Sequence, residues 1–292
     1  MISSPRTLRA ILMMCLAALC FTLNDTMTKF LLVDYHVTVI ILLRSLMALP
    51  LLMALSVSLG GGRVRWSSRV GFHLLRGAIN LMGAYLYIKG LTYLTIAEAS
   101  VIVFASPCIV TALSAFFFKE KVSWQKWATA LVSFLGVVIA IQPGAGTFQS
   151  ASLFILGAAF LYAINSLTSR WIPDADSLWT VSFFGAAAAA MFVAPFTIGH
   201  WGPVDPWDIS EFAAAAVFSS LGIGLGSLAY RSAPAADLAP FGYSGLIWSV
   251  IVTWIVWDSA PSLATFLGAA LIAASGIIHF VTPHGRRTLE GS

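Results

Sequence analysis

Charge is scarce in this chain. Lys and Arg number 16 and Asp and Glu 12 in 292 residues, 10% in all, while 59% of residues are hydrophobic. A soluble domain carries roughly 25% charged and about 45–50% apolar residues, and it has no place to bury such an excess. Cysteine is nearly missing. Cys15, Cys20 and Cys108 lie inside apolar runs, with neither metal-ligand spacing nor a paired framework, which excludes a disulfide scaffold and a cysteine metal centre. The five histidines, His36, His73, His200, His279 and His284, are scattered, and no HExxH, Ser-His or paired-carboxylate signature occurs. A membrane-embedded enzyme would need such a cluster, so the chain reads as a non-enzyme with no metal and no cofactor. ATP-binding motifs are absent too. Gly222, Gly224 and Gly226 form a glycine stripe with no strand before it, suited to close helix packing or a bend rather than to a nucleotide. The net charge of +4 is too small to point to nucleic acid.

What the chain has is a succession of long apolar runs, with mean hydropathy +0.89. A helix needs about 20 apolar residues to cross the hydrocarbon of a bilayer. Ten runs qualify, near residues 9–31, 37–58, 71–92, 95–118, 125–142, 150–171, 177–199, 211–231, 235–257 and 262–282. Short turns rich in Gly, Pro and charge separate them, such as Gly60-Gly61-Gly62, Pro143-Gly144-Ala145-Gly146 and Gly202-Pro203-Val204-Asp205-Pro206. The runs are continuous rather than alternating, which favours helices over a barrel, since backbone groups in lipid must be satisfied locally. Met1 to Cys20 has the charge and apolarity of a signal peptide but lacks a cleavage site, so it reads as part of the first span. Leu289-Glu290-Gly291-Ser292 has the look of a cloning remnant and takes no part in the functional reading.

Basic residues orient the chain. With the N-terminus in the cytoplasm, 13 of the 16 fall on the inner side: Arg6, Arg9, Arg63, Arg65, Arg69, Arg76, Lys119, Lys121, Lys126, Arg170, Arg231, Arg286 and Arg287. The other three, Lys29, Arg44 and Lys89, fall within helices. Both termini are expected inside, as an even number of spans requires. Trp124, Trp127, Trp201, Trp207 and Trp257 sit near the expected interfaces, where an aromatic belt belongs.

The chain also repeats itself. Phe21, Asn24 and Lys29 in the first helix match Tyr162, Asn165 and Arg170 in the sixth at one offset, Ala97-Glu98 matches Ala236-Asp237, and Gly136 matches Gly276. The halves are residues 1–146 and 147–288, with 289–292 as the remnant. Five helices per half make the second half inverted, and inverted repeats mark secondary transporters, which bind substrate between the halves near the midplane. The expected fold is an all-α integral membrane protein of ten transmembrane helices, two inverted five-helix repeats around a central cavity.

A charge deep in a membrane helix costs about 2.5–3.5 kcal/mol on insertion scales, so each one needs a reason. Asp25 and Lys29 are four residues apart and can pair on one helix face. Lys29 and Lys89 can snorkel. Arg44 lies deeper, placed to neutralise Asp25 or to receive a carboxylate. Glu98 and Asp237 open equivalent helices, where the helix dipole favours a carboxylate; the sharper alternative for both is a gate or a protonation switch. Substrate binding is expected from Phe21, Asn24, Tyr85, Phe104, Ser106, Tyr162, Asn165, Tyr243 and Ser244. The competing role for the Asn and Ser side chains is hydrogen bonding between helices.

These features together resemble the ten-helix EamA-like branch of the drug/metabolite transporter superfamily. The resemblance rests on the small-aromatic-x-x-Asn opening of the first helix ending in Lys29, on Leu42-Leu43-Arg44-Ser45, Pro107 and Phe118-Lys119-Glu120-Lys121, and on Gly136 and Gly276 closing each half. It covers residues 9 to 282 and implies gradient-driven transport of amino acids, nucleobases, vitamins or drugs across a bacterial inner membrane. Export of amino acids, aromatic ones included, is the leading expectation, and uptake of a vitamin or nucleoside-like compound the alternative. The second half departs from the pattern, having a Gly185 region where Arg44 would map. The lipid bilayer is an implied partner. A homodimer is permitted, although ten helices can enclose a site alone.

Overall fold

The computed structural model describes residues 5–58, 64–117, 124–142, 150–173, 175–233, 238 and 241–281. Asp237, Lys119, Lys121, Pro143, Ala236 and the 289–292 tail lie outside the described residues. Every regular element among the described residues is helical. The α-helices are α1 (Pro5–Leu31), α2 (Val37–Ser58), α3 (Val70–Leu91), α4 (Ile96–Val103), α5 (Ser106–Phe117), α6 (Trp124–Ile141), α7 (Ala151–Thr168), α8 (Leu178–Thr197), α9 (Asp208–Ser232), α10 (Ser244–Trp257) and α11 (Leu263–Val281). Among the described residues, six spans are long and apolar enough to cross a membrane: Thr7–Leu31, Val37–Ser58, Ile96–Phe117, Ala151–Thr168, Leu178–His200 and Asp208–Ser232. Large apolar side chains stand exposed along their flanks, among them Leu12, Leu16, Phe116, Phe117 and Phe196. Such a surface fits hydrocarbon and not water.

Local chemistry fixes the helix ends. Thr95 and Glu98 form a capping box at the start of α4: the Thr95 hydroxyl accepts from the Glu98 amide at 3.2 Å, and the Glu98 carboxylate accepts from the Thr95 amide at 2.8 Å. Ser177 caps α8 by accepting from the Thr180 amide at 3.2 Å. The run near 95–118 was expected as one helix. It divides at Phe104 and Ala105 into α4 and α5, because Pro107 has no N–H to give and its ring crowds the carbonyl of Val103.

Helices from the two halves pack lengthwise in antiparallel pairs. Gly222 of α9 meets the Phe21 ring of α1, and Gly226 meets Ala17. Gly90 of α3 faces Ile155 of α7, and Gly83 faces Tyr162. Gly136 of α6 and Gly268 of α11 approach so closely that a Cβ built on either would lie under 3.0 Å from the other's carbonyl oxygen. Ser133 and Ser275 join the same two helices at 2.7 Å. Lys29, at the end of α1, donates to the carbonyls of Leu91, the last residue of α3, and Leu94 just beyond it, and Asp25 one turn earlier meets Tyr87 one turn earlier, so α1 and α3 run in the same direction and α7 opposes both. The largest buried cluster runs through the middle, from Ile41 and Leu42 through Ile88, Leu91, Ile96 and Ile102 to Ile155 and Ile272.

Candidate functional site

A cavity of about 610 Å³ opens inside the bundle, walled by α1, α2, α3, α7, α8 and α9 with the end of α4. Its wall is largely apolar but gathers a set of polar and charged side chains. It contains Asn24, Asp25, Arg44, His73, Arg76, Asn80, Tyr87, Tyr162, Asn165 and Ser220, with Phe21, Ile41, Leu81 and Val103 among the apolar parts. Each polar group owes its position to helix periodicity. On α3, His73, Arg76, Asn80, Ala84 and Tyr87 recur every three or four residues and so share one face, and all five border the cavity.

Two arginine–asparagine pairs stand on the wall. Arg44 Nη1 of α2 donates to Asn24 Oδ1 of α1 at 3.3 Å. Arg76 Nε of α3 donates to Asn165 Oδ1 of α7 at 3.2 Å, and its Nη2 donates to the Asn165 carbonyl oxygen, also at 3.2 Å. The asparagines' own amide groups go to different partners. Asn24 Nδ2 donates to Asp25 Oδ1 at 3.0 Å, and Tyr87 donates its hydroxyl to Asp25 Oδ2 at 2.8 Å. Asn165 Nδ2 donates to the neutral Asn80 Oδ1 at 3.4 Å.

The first cluster therefore holds one cation and one carboxylate, and the second a cation alone. Gly77, beside Arg76, packs against Gly185 and Ala188 of α8. The small Gly185 region that replaces an arginine in the second half thus leaves room for α3, and Arg76 arrives from there.

Six of the side chains singled out in the sequence stand on this wall: Phe21, Asn24, Asp25, Arg44, Tyr162 and Asn165. The others are elsewhere. Phe104 and Tyr243 stack on each other with ring centroids 5.4 Å apart. Ser106 opens α5 after the proline break, and Ser244 donates to the Phe241 carbonyl at 2.6 Å. Tyr85 falls off the α3 face that carries Arg76 and Tyr87. The Asp25–Lys29 pair expected from their spacing is not made: Tyr87 and Asn24 hold Asp25, while Lys29 caps carbonyls at 2.7 and 2.6 Å. Glu98 is occupied in its capping box. Arg76 and His73 were missed as wall residues because a count of inside cations ignores which face a residue occupies. The 73/76/80/84/87 spacing was the available signal.

Polar contacts tie the halves together at both ends of the cavity. At one end Ser67 donates to Asp176 Oδ2 at 2.6 Å, His73 Nε2 lies 2.8 Å from the same oxygen, and the Arg65 amide donates to Thr180 at 3.2 Å. Burial pushes the Asp176 carboxyl up, but the Ser67 and His73 hydrogen bonds outweigh it, and its pKa lies below the usual carboxylate range. At the other end Tyr35 donates to Asp208 Oδ2 at 2.7 Å, and the His36 and His200 rings stack at 3.7 Å, nearly parallel at 9°.

An all-helical membrane protein with a polar cavity between helices of its two halves falls in the class of membrane transporters. The chain belongs to the EamA-like transporter family, whose model matches it twice, over residues 8–142 and again over 149–281, and with it to the drug/metabolite transporter superfamily. It is 26% identical to the S-adenosylmethionine uptake transporter of Rickettsia bellii (strain RML369-C), over 85% of each chain. It is 26% identical to the riboflavin transporter of Vibrio cholerae serotype O1, over 94% of this chain and 93% of that one. Identity to the pseudopaline exporter of Pseudomonas aeruginosa (strain UCBPP-PA14) is 25%, over 70% of this chain and 72% of the other. A solved crystal structure, described only as that of a protein, has a TM-score of 0.64 over 95% of this chain and 99% of the other at 20% identity, a likeness of fold alone.

Proposed function

We propose that this protein is a secondary transporter carrying a ring-bearing small metabolite, of nucleoside or vitamin size, across the bacterial inner membrane by alternating access. The observation that carries the reading is the cavity. Its volume of about 610 Å³ lies within the roughly 300–1,000 Å³ that encloses drug-sized ligands, and it exceeds what a single amino acid fills. Tyr162, Tyr87 and Phe21 offer ring faces and Asn24, Asn80 and Asn165 offer amides. The names of the relatives, one for uptake of S-adenosylmethionine, one for transport of riboflavin and one for export of pseudopaline, support this size class and leave direction to experiment.

Amino-acid export is the second reading. It is favoured by the presence of one carboxylate, Asp25, and two guanidinium groups in the same cavity, the complement of a zwitterion.

The architecture proposed with it is ten spans, α4 and α5 together making one, in two inverted halves with both termini cytoplasmic. The doubled family match supports two halves. So does the pairing of α1 with α9 and of α3 with α7, since a pseudo-two-fold axis would exchange these pairs. All the cavity walls come from one chain, so a dimer is not required. The latches at the two ends are the contacts that alternating access must break in turn.

Liposomes containing the purified protein test the reading. Labelled riboflavin, adenosine, S-adenosylmethionine and tyrosine are followed into and out of the vesicles, with and without a pH gradient. Movement of a ring-bearing compound above that in empty liposomes is expected. Movement of tyrosine alone would replace the first reading by the second, and movement of none would overturn both.

A further inference from the structure

The wall of the cavity is asymmetric in charge, and the asymmetry identifies a subsite. Arg44 shares Asn24 with Asp25: the asparagine's oxygen accepts from the guanidinium and its amide donates to the carboxylate. Arg76 has no such companion. Its exposure is 9%, its Nε and Nη2 are held by Asn165, and its Nη1 is buried without a hydrogen-bond partner among the described residues. The asparagine beneath it donates to Asn80, which brings no charge. Among the described residues the only carboxylate ion-paired at this end is Asp176, and it pairs with His73.

Two further atoms of the same wall, His73 Nδ1 and Ser220 Oγ, are also buried without partners. His73 sits one helical turn before Arg76 on the same α3 face. A buried guanidinium with an orphan N–H and no counter-charge is costly unless something supplies both. The protein holds that guanidinium in place with two hydrogen bonds and leaves its third edge buried and unpaired in a residue that borders the cavity.

We propose that Arg76 is the anion-binding residue of the transport site, receiving a carboxylate or phosphate group of the carried metabolite at Nη1, so that the substrate class is a ring-bearing metabolite with a net negative group at one end. The Asn24–Asp25–Arg44 cluster, already neutral, faces the polar but uncharged remainder. This rests on the transporter reading above and narrows it.

Matched compounds that differ only in the anionic group test the inference. The probes are tyrosine against tyrosinamide, riboflavin 5′-phosphate against riboflavin, and adenosine 5′-monophosphate against adenosine. Binding to the full chain in phosphatidylcholine liposomes is read by tryptophan fluorescence and by thermal shift. Charge-assisted hydrogen bonds are strong enough that the acid member of at least one pair should bind about tenfold or more tightly than its partner.

Arg76→Gln should erase that preference, and Arg76→Lys should restore part of it. Asn165→Asp keeps the guanidinium but gives it a carboxylate, and should erase the preference as well, which guards against misreading a folding defect. Equal binding of both members in every pair, with the neutral ones bound and carried, overturns the anion subsite and leaves the transporter reading standing. A preference that persists in Arg76→Gln overturns it too. Binding of none of the six overturns both. In phosphatidylglycerol liposomes without any probe, an Arg76→Gln shift in melting that is absent in phosphatidylcholine would assign the guanidinium to a lipid headgroup and overturn the substrate role.

Discussion

Arg76 stands to Asn165 as Arg44 stands to Asn24: each arginine donates to the side-chain oxygen of an asparagine at matched places in the two halves, at 3.2 and 3.3 Å. The asparagines occupy equivalent positions on α1 and α7. The arginines do not, since α2 supplies one and α3 the other. The pairing is kept while its source changes, and only the first pair has a carboxylate beside it. The two asparagines should therefore not be interchangeable in function.

Asn24→Ala and Asn165→Ala each leave a half-buried or buried guanidinium short of an acceptor, and each should cost about 1–3 kcal/mol of stability. They should separate in transport. Without Asn24, Arg44 and Asp25 can still turn to one another, and transport should fall several-fold. Without Asn165, Arg76 keeps only the backbone carbonyl, and transport should fall further, with the loss concentrated in apparent affinity. Initial rates against substrate concentration in liposomes measure both effects. Equal losses in the two variants would contradict the asymmetry.

The α6–α11 seam gives a prediction of another kind. A Cβ on Gly268 would lie 2.5 Å from the Gly136 carbonyl oxygen, a backbone atom that cannot swing away. Gly268→Ala should destabilise by about 1–3 kcal/mol as an overpacked contact, read as a lower melting temperature in detergent. Gly222→Ala meets the Phe21 ring at 3.0 Å, and the ring can shift, so its effect should be smaller. The reverse order would mean that the two helices do not meet as closely as described.

Much of this architecture is legible in the sequence, for a physical reason. Hydrocarbon demands a long apolar run for each helix, and Val37–Ser58 is found at the bounds the run sets. Thr95 and Glu98 are readable as a helix start because the capping box is local. Asn24, Asn165 and Tyr162 are readable as wall residues because the repeat pairs them. The rest depends on which face meets which neighbour. Arg76 near a helix start looks like an interface cation until Asn165 is seen across the seam, and Tyr243 looks like a ligand until Phe104 is found stacked upon it. Pro107 shows in the sequence, yet whether a proline bends or divides a membrane helix depends on packing.

The Ser67–His73–Asp176 latch sets an acid limit. Because the folded pKa of Asp176 is depressed, its contribution to stability is complete above the unfolded value of about 3.9 and is lost as pH falls through the folded one. Thermal unfolding should be insensitive to Asp176 from pH 8 to 5 and fall steeply below about pH 4. Asp176→Asn should melt lower at neutral pH and show a shallower acid decline. An acid decline unchanged in the variant would show that the latch does not carry it.

The opposite end should yield at milder acidity. His36 has its pKa lowered by burial, with the nearby His200 and Lys89 adding to the effect. A base whose folded pKa is depressed binds fewer protons in the folded state, so its contribution is whole above the unfolded value of about 6.5 and is lost as pH falls through the folded one. The His36 ring is stacked on that of His200 at 3.7 Å, so a proton gained by His36 acts directly on this contact. Acidification below the ordinary histidine range of about 6.5 should loosen the His36–His200 end while the Asp176 end stays joined, because a histidine and a carboxylate titrate in different ranges. A cysteine-reactive probe at Thr197→Cys, a buried position three residues before His200 whose native hydroxyl donates to the Ala194 carbonyl at 2.6 Å, should label faster at pH 5.5 than at pH 7.5. Val181→Cys, on the cavity wall in the first turn of α8, reports on the other end and should show no such rise. His36→Gln should flatten the Thr197→Cys response. Labelling that accelerates equally at both ends would mean that acid opens the whole bundle rather than one side of it.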